Sequence, residues 1–432
     1  MKPKISSHYI NRKPSSIRTA QISFNERSDK SSIRPINLAI GNVSLPMHPA
    51  MIKRMGNLRD KNSPFANGVL RYTSSSGYEE TIKAFLNIIS YEGIKTSNLN
   101  CLITDGGSQA MEIVLLGVCG TSNNTPIMLL DPAYTNYLEF SKRLSIPVVS
   151  VSRYIDDRGN FNTLNFEKIN SLIKLKKPNG LVVIPYDNPT GQFINQRDLT
   201  KLASICVENK IWLISDEAYR QLYYEGNSSS TIWKITQNEV PNIDGFRISI
   251  ESASKVWNAC GLRIGGLVTD NKTFYNKSVN EYTSNLCANA LGQYIFGALA
   301  DISYDEINLW YLKQRNYYLP LMNSIRDSII EKIPGVLISK PSAAIYLIID
   351  FKNICNSEFD ANDFILYCAK KGCVKYNKID YTLLFAPLNE FYSGDEKVKT
   401  QIRIAIVEKP KYLKLAPIIL SELFKEYSKV KS

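Results

Sequence analysis

Histidine is almost absent from this chain of 432 residues, which contains only His8 and His48. A zinc site built from three histidines needs a third imidazole, so that class of metal site is excluded. A Ser-His-Asp triad would have to use one of these two residues, both in the N-terminal segment, and we discount that chemistry as well. No metal is therefore expected, and other side chains must carry the reaction.

The cysteines include no CxxC pair, and the closest spacing among the eight is that between Cys368 and Cys373. Several have apolar neighbours, such as Cys119 in LLGVCG and Cys206 in LASICV. Buried, reduced thiols are expected in such surroundings rather than a disulfide framework. This usage indicates a reducing compartment, and we predict a cytoplasmic protein.

Long apolar runs are also missing, because no run approaches the ~18 residues that a membrane helix requires. The longest, AAIYLII at 343–349, predicts a buried strand instead. The net charge of +12 could favour nucleic acid or acidic lipid, but the lysines are scattered and form no dense block in the middle of the chain. We therefore expect a solvated basic surface that attracts small anions, and neither a nucleic-acid partner nor a membrane.

The first 25 residues carry five basic side chains, several serines and no acid. This composition overlaps with that of an organelle transit peptide but lacks the apolar run of a secretory signal. We expect a flexible arm that docks on a partner subunit rather than a targeting peptide.

From about residue 100 the sequence alternates short apolar runs with longer helical patterns. The apolar runs stand in NCLITDGG, TPIMLLDP, NGLVVIPY, KIWLISDE, FRISIESA and RIGGLVTD. Continuous Val, Ile and Leu strands separated by helices predict a mostly parallel sheet covered on both faces, hence an α/β domain of three layers. Functional loops should then lie at the carboxyl ends of these strands.

From about residue 305 the pattern changes to a long helical stretch, a strand in AAIYLIIDF, an amphipathic helix that ends at Gly372, a strand in QIRIAIVE and a closing helix. This order predicts a second, smaller α+β domain. We divide the chain into an arm at 1–35, a large domain at 50–310 and a small domain made of 36–49 with 311–432.

Three motifs follow the predicted strands, and each also has an ordinary structural explanation. Gly106, Gly107 and Ser108 could offer backbone N–H groups and a hydroxyl to a phosphate, or form a simple strand-to-helix turn. Asn188 in DNPTG could present an amide donor from a rigid turn. Asp216 in SDEAY could meet a cation at the end of a buried strand or cap the next helix.

The segment SASKVWNACGLRIGG, at 252–266, places two cations among small and apolar residues. Lysine is the side chain that forms a Schiff base, since a suitable site can make its amine neutral. Arginine is the fork that grips phosphate or carboxylate. Lys255 and Arg263 could therefore serve one site, although a surface position is the usual role of a single lysine.

Taken in order, GGS, DPAYTNY, NPTG, DEAY and S-x-S-K-x(5)-G-x-R-x-G resemble the class I and II aminotransferases, which are pyridoxal-phosphate enzymes of fold type I. The resemblance extends from NLAIGNVSLP to the C-terminus. It implies that Lys255 forms an imine with pyridoxal 5'-phosphate and that Asp216 pairs with its pyridinium nitrogen. The remaining residues that the resemblance assigns to the cofactor are Ser252, Arg263, Gly107, Ser108 and Gln109 at the phosphate, Tyr219 and Asn188 at the ring oxygen, and Tyr134 on the ring face.

The resemblance also implies how substrate and partner bind. Arg403 in QIRIAIVE matches the arginine that clamps the substrate α-carboxylate, near Asn188, and Gly41 matches a small position in a segment that closes over substrate. Tyr72 matches a tyrosine that reaches the phosphate of a neighbouring subunit, which implies a homodimer with shared active sites. One departure is KPSAAIY, where the family often has Pro-x-Gly-Gly.

The expected reaction is transfer of an amino group from an L-amino acid to a 2-oxo acid, with Lys255 as the proton-transferring base and Asp216 and Tyr219 supporting the cofactor. C–S β-elimination, decarboxylation or cyclisation of an amino acid are alternatives, because they use the same residues. A regulator with an attached DNA-binding domain is disfavoured by the 36 residues before NLAIG, and an inactive scaffold by the retained Lys255 and Arg403. The absence of arginine from NEYTSNLCANA disfavours aspartate as substrate, so we expect aromatic or neutral aliphatic donors with 2-oxoglutarate as acceptor.

Overall fold

The structure is a computed structural model that describes residues 3–121, 124–224, 226, 228–394 and 398–431. The strands are β1 (Ile33–Asn37), β2 (Asn100–Thr104), β3 (Ile127–Asp131), β4 (Val148–Ser152), β5 (Gly180–Val183), β6 (Trp212–Asp216), β7 (Arg247–Ser252), β8 (Gly265–Thr269), β9 (Leu337–Ile338), β10 (Tyr346–Asp350), β11 (Val374–Tyr376), β12 (Ile379–Leu384), β13 (Ala386–Pro387) and β14 (Gln401–Ala405). The α-helices are α1 (Ser7–Ile10), α2 (Ser16–Asn25), α3 (Pro49–Gly56), α4 (Glu79–Ser90), α5 (Gly107–Cys119), α6 (Thr135–Leu144), α7 (Phe166–Lys176), α8 (Gln196–Glu208), α9 (Lys272–Tyr282), α10 (Ala290–Gly297), α11 (Tyr304–Lys332), α12 (Ala361–Lys370), α13 (Pro410–Leu413) and α14 (Ala416–Lys431).

The largest sheet has the strand order β2-β8-β7-β6-β5-β3-β4. Its strands from β4 to β7 are parallel, and β8 runs antiparallel to both β7 and β2. Neighbouring residues of one strand enter different cores: Met128 packs in one apolar cluster and Leu129 in another. Because successive side chains of a strand point to opposite faces, both faces of the sheet are covered. The predicted α/β fold with a mostly parallel sheet in three layers is confirmed.

The C-terminal part of the chain, together with β1, builds two smaller sheets, in the orders β13-β14-β10-β9 and β1-β12-β11. The long helix α11 precedes them and begins with a capping box in which Ser303 and Glu306 bond each other's backbone N–H. Strand β1 pairs in parallel with β12, and α2 packs Ala20 and Phe24 into the apolar core that this region shares. The division of the chain into an arm and two domains stays a prediction.

The carboxyl ends of β6 and β7 face the small sheets across the turn that contains DNPTG. Gly191 in this turn has a φ of +69°, and its carbonyl accepts hydrogen bonds from the backbone of Ser342 and Ala343 at 2.9 and 2.8 Å. A Cβ at Gly191 would lie 2.2 Å from the carbonyl oxygen of Tyr346. The turn thus holds the two sheets against each other, and it requires glycine. Among the described helices, none is long and apolar enough to cross a membrane.

Replacing Gly191 with alanine should therefore destabilise the protein by about 2–4 kcal/mol, since both the left-handed backbone and a backbone overlap oppose a Cβ. The matched control is Gly68→Ala, because Gly68 has a similar φ of +79° but nothing within 4 Å of its built Cβ. We expect the control to cost only about 1 kcal/mol in urea denaturation followed by circular dichroism. Equal losses in the two variants would show that the contact with Tyr346 contributes nothing.

Candidate active site

A cavity of ≈ 950 Å³ opens where the strand ends of the large sheet meet β10 and β14. Most of the residues singled out in the sequence form its wall. Those residues are Gly41, Gly107, Ser108, Tyr134, Asn188, Asp216, Tyr219, Ser252, Lys255, Arg263 and Arg403. The structure therefore brings together residues that are up to 362 positions apart in the sequence, Gly41 and Arg403 being the extremes.

An anion cradle lies at the start of α5. Gly106 has a φ of +88°, and a Cβ there would be 2.4 Å from the Nη2 atom of Arg263. The guanidinium of Arg263 donates to the carbonyls of Cys260 at 3.0 Å and Asp105 at 3.2 Å, and no acid pairs with it in the described part of the chain. Free N–H groups at the start of a helix and an unpaired guanidinium together favour a phosphate.

Gln109 and Tyr72 lie outside the wall of this cavity. The Oε1 atom of Gln109 accepts from the backbone N–H of Asp105 at 2.7 Å and from the hydroxyl of Tyr282 at 3.0 Å. The Gln109 side chain thus fastens the loop that precedes α5. Tyr72 is 77% exposed. Its side chain faces solvent in the single chain.

Asp216 ends β6 and projects into the cavity. Its Oδ1 atom accepts from the backbone N–H of Ala218 at 3.0 Å, and its Oδ2 atom accepts a short hydrogen bond from Tyr137. Burial raises the pKa of Asp216, and the two hydrogen bonds oppose that rise. A cation placed beside Asp216 would therefore be bound favourably. The sequence analysis missed Tyr137, although its position one helical turn after Tyr134 could have suggested that both face the site.

Lys255 extends from the loop after β7, and its Nζ atom donates to the carbonyl oxygen of Gly41. A Cβ at Gly41 would lie 3.1 Å from that Nζ atom and 2.7 Å from the hydroxyl of Tyr346. Only glycine therefore lets this segment approach the amine so closely. No carboxylate forms an ion pair with Lys255 among the residues that the structure describes.

Arg403 is 1% exposed on β14 and is the largest fully buried side chain described. Its Nη1 atom donates to Oδ1 of Asn188 at 3.1 Å and its Nη2 atom to the carbonyl of Ala39, whereas Nε has no partner. The guanidinium lies over the rings of Tyr346, at 4.5 Å, and Phe391, at 5.2 Å. Burial lowers the pKa of Arg403. Since no acid described here pairs with it, an incoming carboxylate would compensate its charge.

Four tyrosines also line the cavity, namely Tyr134, Tyr137, Tyr219 and Tyr346. Tyr134 immediately precedes α6 and packs edge-on against Tyr137, with ring centroids 5.6 Å apart. Burial raises the pKa of Tyr134 to about 12. The hydroxyls of Tyr219 and Tyr346 are 2.5 Å apart. The sequence analysis did not predict a role for Tyr346, because its neighbours in the sequence gave no sign of a contact with Tyr219.

The N-terminal segment crosses the mouth of the cavity. Arg12 pairs with Glu139 of α6 at 2.8 Å, and Ser15, Ile17 and Arg18 line the opening. The predicted docking of this segment on a partner subunit stays a prediction. The site as a whole offers one amine, an anion cradle, a buried acid for a cation and a buried guanidinium for a carboxylate.

Comparison with known proteins identifies similar chains. Residues 33–378 match the family described as aminotransferase class I and II. The chain is 27% identical over 323 residues to an aspartate aminotransferase of Sulfurisphaera tokodaii, covering 73% of each chain. It is 24% identical over 374 residues to a probable kynurenine–oxoglutarate transaminase of Saccharomyces cerevisiae, covering 83% of this chain and 81% of the relative. The crystal structure of Bna3p, a putative kynurenine aminotransferase of the same yeast, aligns with a TM-score of 0.80 at 20% identity over 98% of this chain and 99% of that one.

Replacing Asp216 with asparagine should stabilise the ligand-free protein at pH 7. Because burial raises the folded-state pKa above the unfolded value, the ionised carboxylate costs folding free energy above the folded pKa, and this cost vanishes below about pH 4. The asparagine can still accept from Ala218 and bond Tyr137. We therefore expect a higher thermal midpoint at pH 7 and a gain that disappears as the pH falls.

The control for this measurement is Asp301→Asn, since Asp301 forms only an exposed pair with Lys83. We expect that variant to keep the wild-type midpoint within a degree or so, as surface pairs contribute little. A lower midpoint for Asp216→Asn at pH 7 would mean that the carboxylate is already compensated inside the ligand-free chain.

Proposed function

The chain belongs to the class I and II aminotransferases, and from that premise we propose that Lys255 is the residue that bonds covalently to the cofactor. Members of this family use pyridoxal 5'-phosphate, and the protein is an enzyme that transfers an amino group from an amino acid to a 2-oxo acid. Lys255 supports the proposal because its amine lies in the cavity wall without an acid partner among the described residues. When bound, the cofactor supplies an electron-accepting ring for the substrate α-carbon.

The charges of the cavity fit this cofactor. The cradle of Gly106, Gly107 and Arg263, with Ser108 and Ser252 beside it, would hold the phosphate. Asp216 would hold a proton at the ring nitrogen. The resulting cation would offset the cost of burying the ionised carboxylate, which now raises the pKa of Asp216. Neither Asp216 nor Arg263 forms an ion pair among the described residues, although the charge of Lys255 acts on Asp216 from a longer distance.

Asn188 and Tyr219 would donate hydrogen bonds to the oxygen on the cofactor ring. Asn188 can do so because its Oδ1 atom is already occupied by Arg403, at 3.1 Å, which leaves the Nδ2 group as the free donor. The aromatic ring of Tyr134 would cover one face of the cofactor.

Lys255 would also act as the general base that removes the proton from the substrate α-carbon. The carbonyl of Gly41 accepts a hydrogen bond from the Nζ atom of Lys255. The amine is therefore already positioned within the cavity. Ser15, Ile17 and Arg18 of the N-terminal segment line part of the cavity and would limit the access of water to the reacting atoms.

The observation that carries substrate recognition is the buried Arg403 with its unpaired Nε atom. Nε and one Nη group form a fork that donates two parallel hydrogen bonds to a carboxylate. We assign the α-carboxylate of the amino acid to this fork, with Gly41 beside it as part of the closing segment.

The proposal extends to substrate class and assembly. Ile17, Ile40 and Val43 give the cavity wall apolar area, which supports aromatic or neutral aliphatic donors, and one relative is named for kynurenine and oxoglutarate. Exposed Tyr72, with Leu70 and Val69 beside it, supports a homodimer in which Tyr72 reaches the phosphate of the partner subunit. The free cysteines described support a cytoplasmic location.

Lysine 255 can be identified by reducing the protein with borohydride in the presence of pyridoxal 5'-phosphate. The wild-type protein should carry a pyridoxyl group on the peptide that contains Lys255, and Lys255→Ala should lose both the tag and nearly all turnover. Lys272→Ala is the control, because Lys272 contacts only Asn100 and the ring of Tyr275 at the surface. A tag on another peptide of the wild type would reject the assignment of Lys255.

Replacing Arg403 with lysine keeps the charge but removes the fork. We expect kcat/KM for the amino acid to fall by about 10–10², because lysine cannot make the second hydrogen bond of the fork and a hydrogen bond to a charged group contributes about 1.5–3 kcal/mol. Arg143→Lys, an exposed arginine paired with Glu112, should keep its rate. Wild-type kcat/KM in Arg403→Lys would place the carboxylate elsewhere.

A further inference from the structure

Tyr346 lies at the centre of the site although no motif pointed to it. It begins β10, opposite Ala405 of β14, and is 2% exposed. Its hydroxyl contacts that of Tyr219, and its ring lies under the guanidinium of Arg403. A Cβ built on Gly41 would lie 2.7 Å from the hydroxyl of Tyr346 and 3.1 Å from the Nζ atom of Lys255. A side chain of the small sheets thus reaches the cofactor-binding tyrosine of the large sheet.

Either phenol of this pair could donate to the other, and the role proposed for Tyr219 decides the direction. The hydroxyls are 2.5 Å apart, and Tyr346 has no other hydrogen-bond partner among the described residues. Each phenol has a single proton to donate. If Tyr219 donates its proton to the cofactor ring oxygen, Tyr346 must donate to the oxygen of Tyr219. Such a chain is cooperative, since each bond polarises the next.

Arg403 adds a charge to this chain. Its guanidinium lies 4.5 Å from the centre of the Tyr346 ring and has no acid partner in the described structure. A cation over the face of a phenol draws electron density toward itself and makes the hydroxyl a better donor. A carboxylate bound to Arg403 would cancel part of this field. The other charged or titratable groups that act on this pair are Lys255, Tyr134 and Tyr318.

We propose that Tyr346 is a positioning residue for the hydrogen bond between Tyr219 and the cofactor. Through Tyr346, a carboxylate that binds to Arg403 weakens this hydrogen bond. The inference rests on the proposed function, because it takes Tyr219 as the donor to the ring oxygen. It assigns to this phenol a coupling between substrate binding and the protonation of the nitrogen that joins Lys255 to the cofactor, beside the direct path from Arg403 through Asn188.

The test is a pH titration of the visible absorbance band of the holoenzyme. In Tyr346→Phe the Tyr219 bond to the ring oxygen weakens, the anionic oxygen is less stabilised, and the neighbouring nitrogen holds its proton to a higher pH. Loss of one hydrogen bond should raise the midpoint by about 0.5–1 pH unit. The matched control is Tyr224→Phe, a buried phenol that donates to the backbone of Ala344 and lies outside the cavity, and it should leave the midpoint unchanged.

A second measurement separates coupling from a merely structural effect. Saturating propionate, a carboxylate that cannot react, should raise the midpoint of the wild type, and the shift should shrink at least two-fold in Tyr346→Phe. In a Tyr219→Phe background, Tyr346→Phe should have no further effect, because the path runs through Tyr219.

An unchanged midpoint in Tyr346→Phe, a propionate shift equal to that of the wild type, or additive effects of the two substitutions would each overturn the inference. A wild-type protein with no absorbance band in the presence of pyridoxal 5'-phosphate would instead overturn the proposed function. The two failures are therefore distinguishable.

Discussion

The guanidinium of Arg403 is buried between two aromatic rings, bonded to an amide and a carbonyl and unmatched by any acid that the structure describes. Burying a charge without a partner costs free energy, so a chain retains such a group only if something else compensates it. Several neighbouring residues of the cavity bond Arg403 or pack against it. Asn188 is oriented by Arg403, Tyr346 packs beneath it, and Gly41 leaves room for both Tyr346 and Lys255.

The same logic applies at the opposite end of the cavity. Asp216 is an acid whose burial raises its pKa. Arg263, beside the start of α5, is exposed and has no acid partner in the described chain. An aminotransferase that binds pyridoxal 5'-phosphate and an amino acid adds a cation, a phosphate and a carboxylate, each at a place where the chain offers the opposite charge. On the proposed assignment, stability given up in the ligand-free chain would be recovered on binding, as is common where function requires a strained or charged site.

The sequence was informative where chemistry and local pattern coincide. Continuous apolar runs indicated the buried strands, so the fold class was predicted correctly. Asp216, Lys255 and Arg263 stood in motifs at the ends of these runs, so the family was predicted correctly as well. The antiparallel direction of β8 was not predicted, because an apolar run such as GGLVT has the same appearance in either direction. Tyr346 was missed because its partner Tyr219 is 127 residues away, and such a contact depends on how the two sheets meet. The assignment of Gln109 to the phosphate stays a prediction, and its side chain bonds Asp105 and Tyr282 in the described chain.

The central claim is that charges left unmatched in the chain are matched by the ligands. A crystal structure of the holoenzyme with a bound, non-reacting monocarboxylate tests it most directly. The account predicts a carboxylate on Nε and one Nη atom of Arg403, a phosphate between Arg263 and the start of α5, and continuous density from Lys255 to the cofactor. A carboxylate bound elsewhere, with Nε of Arg403 still unpartnered, would contradict it.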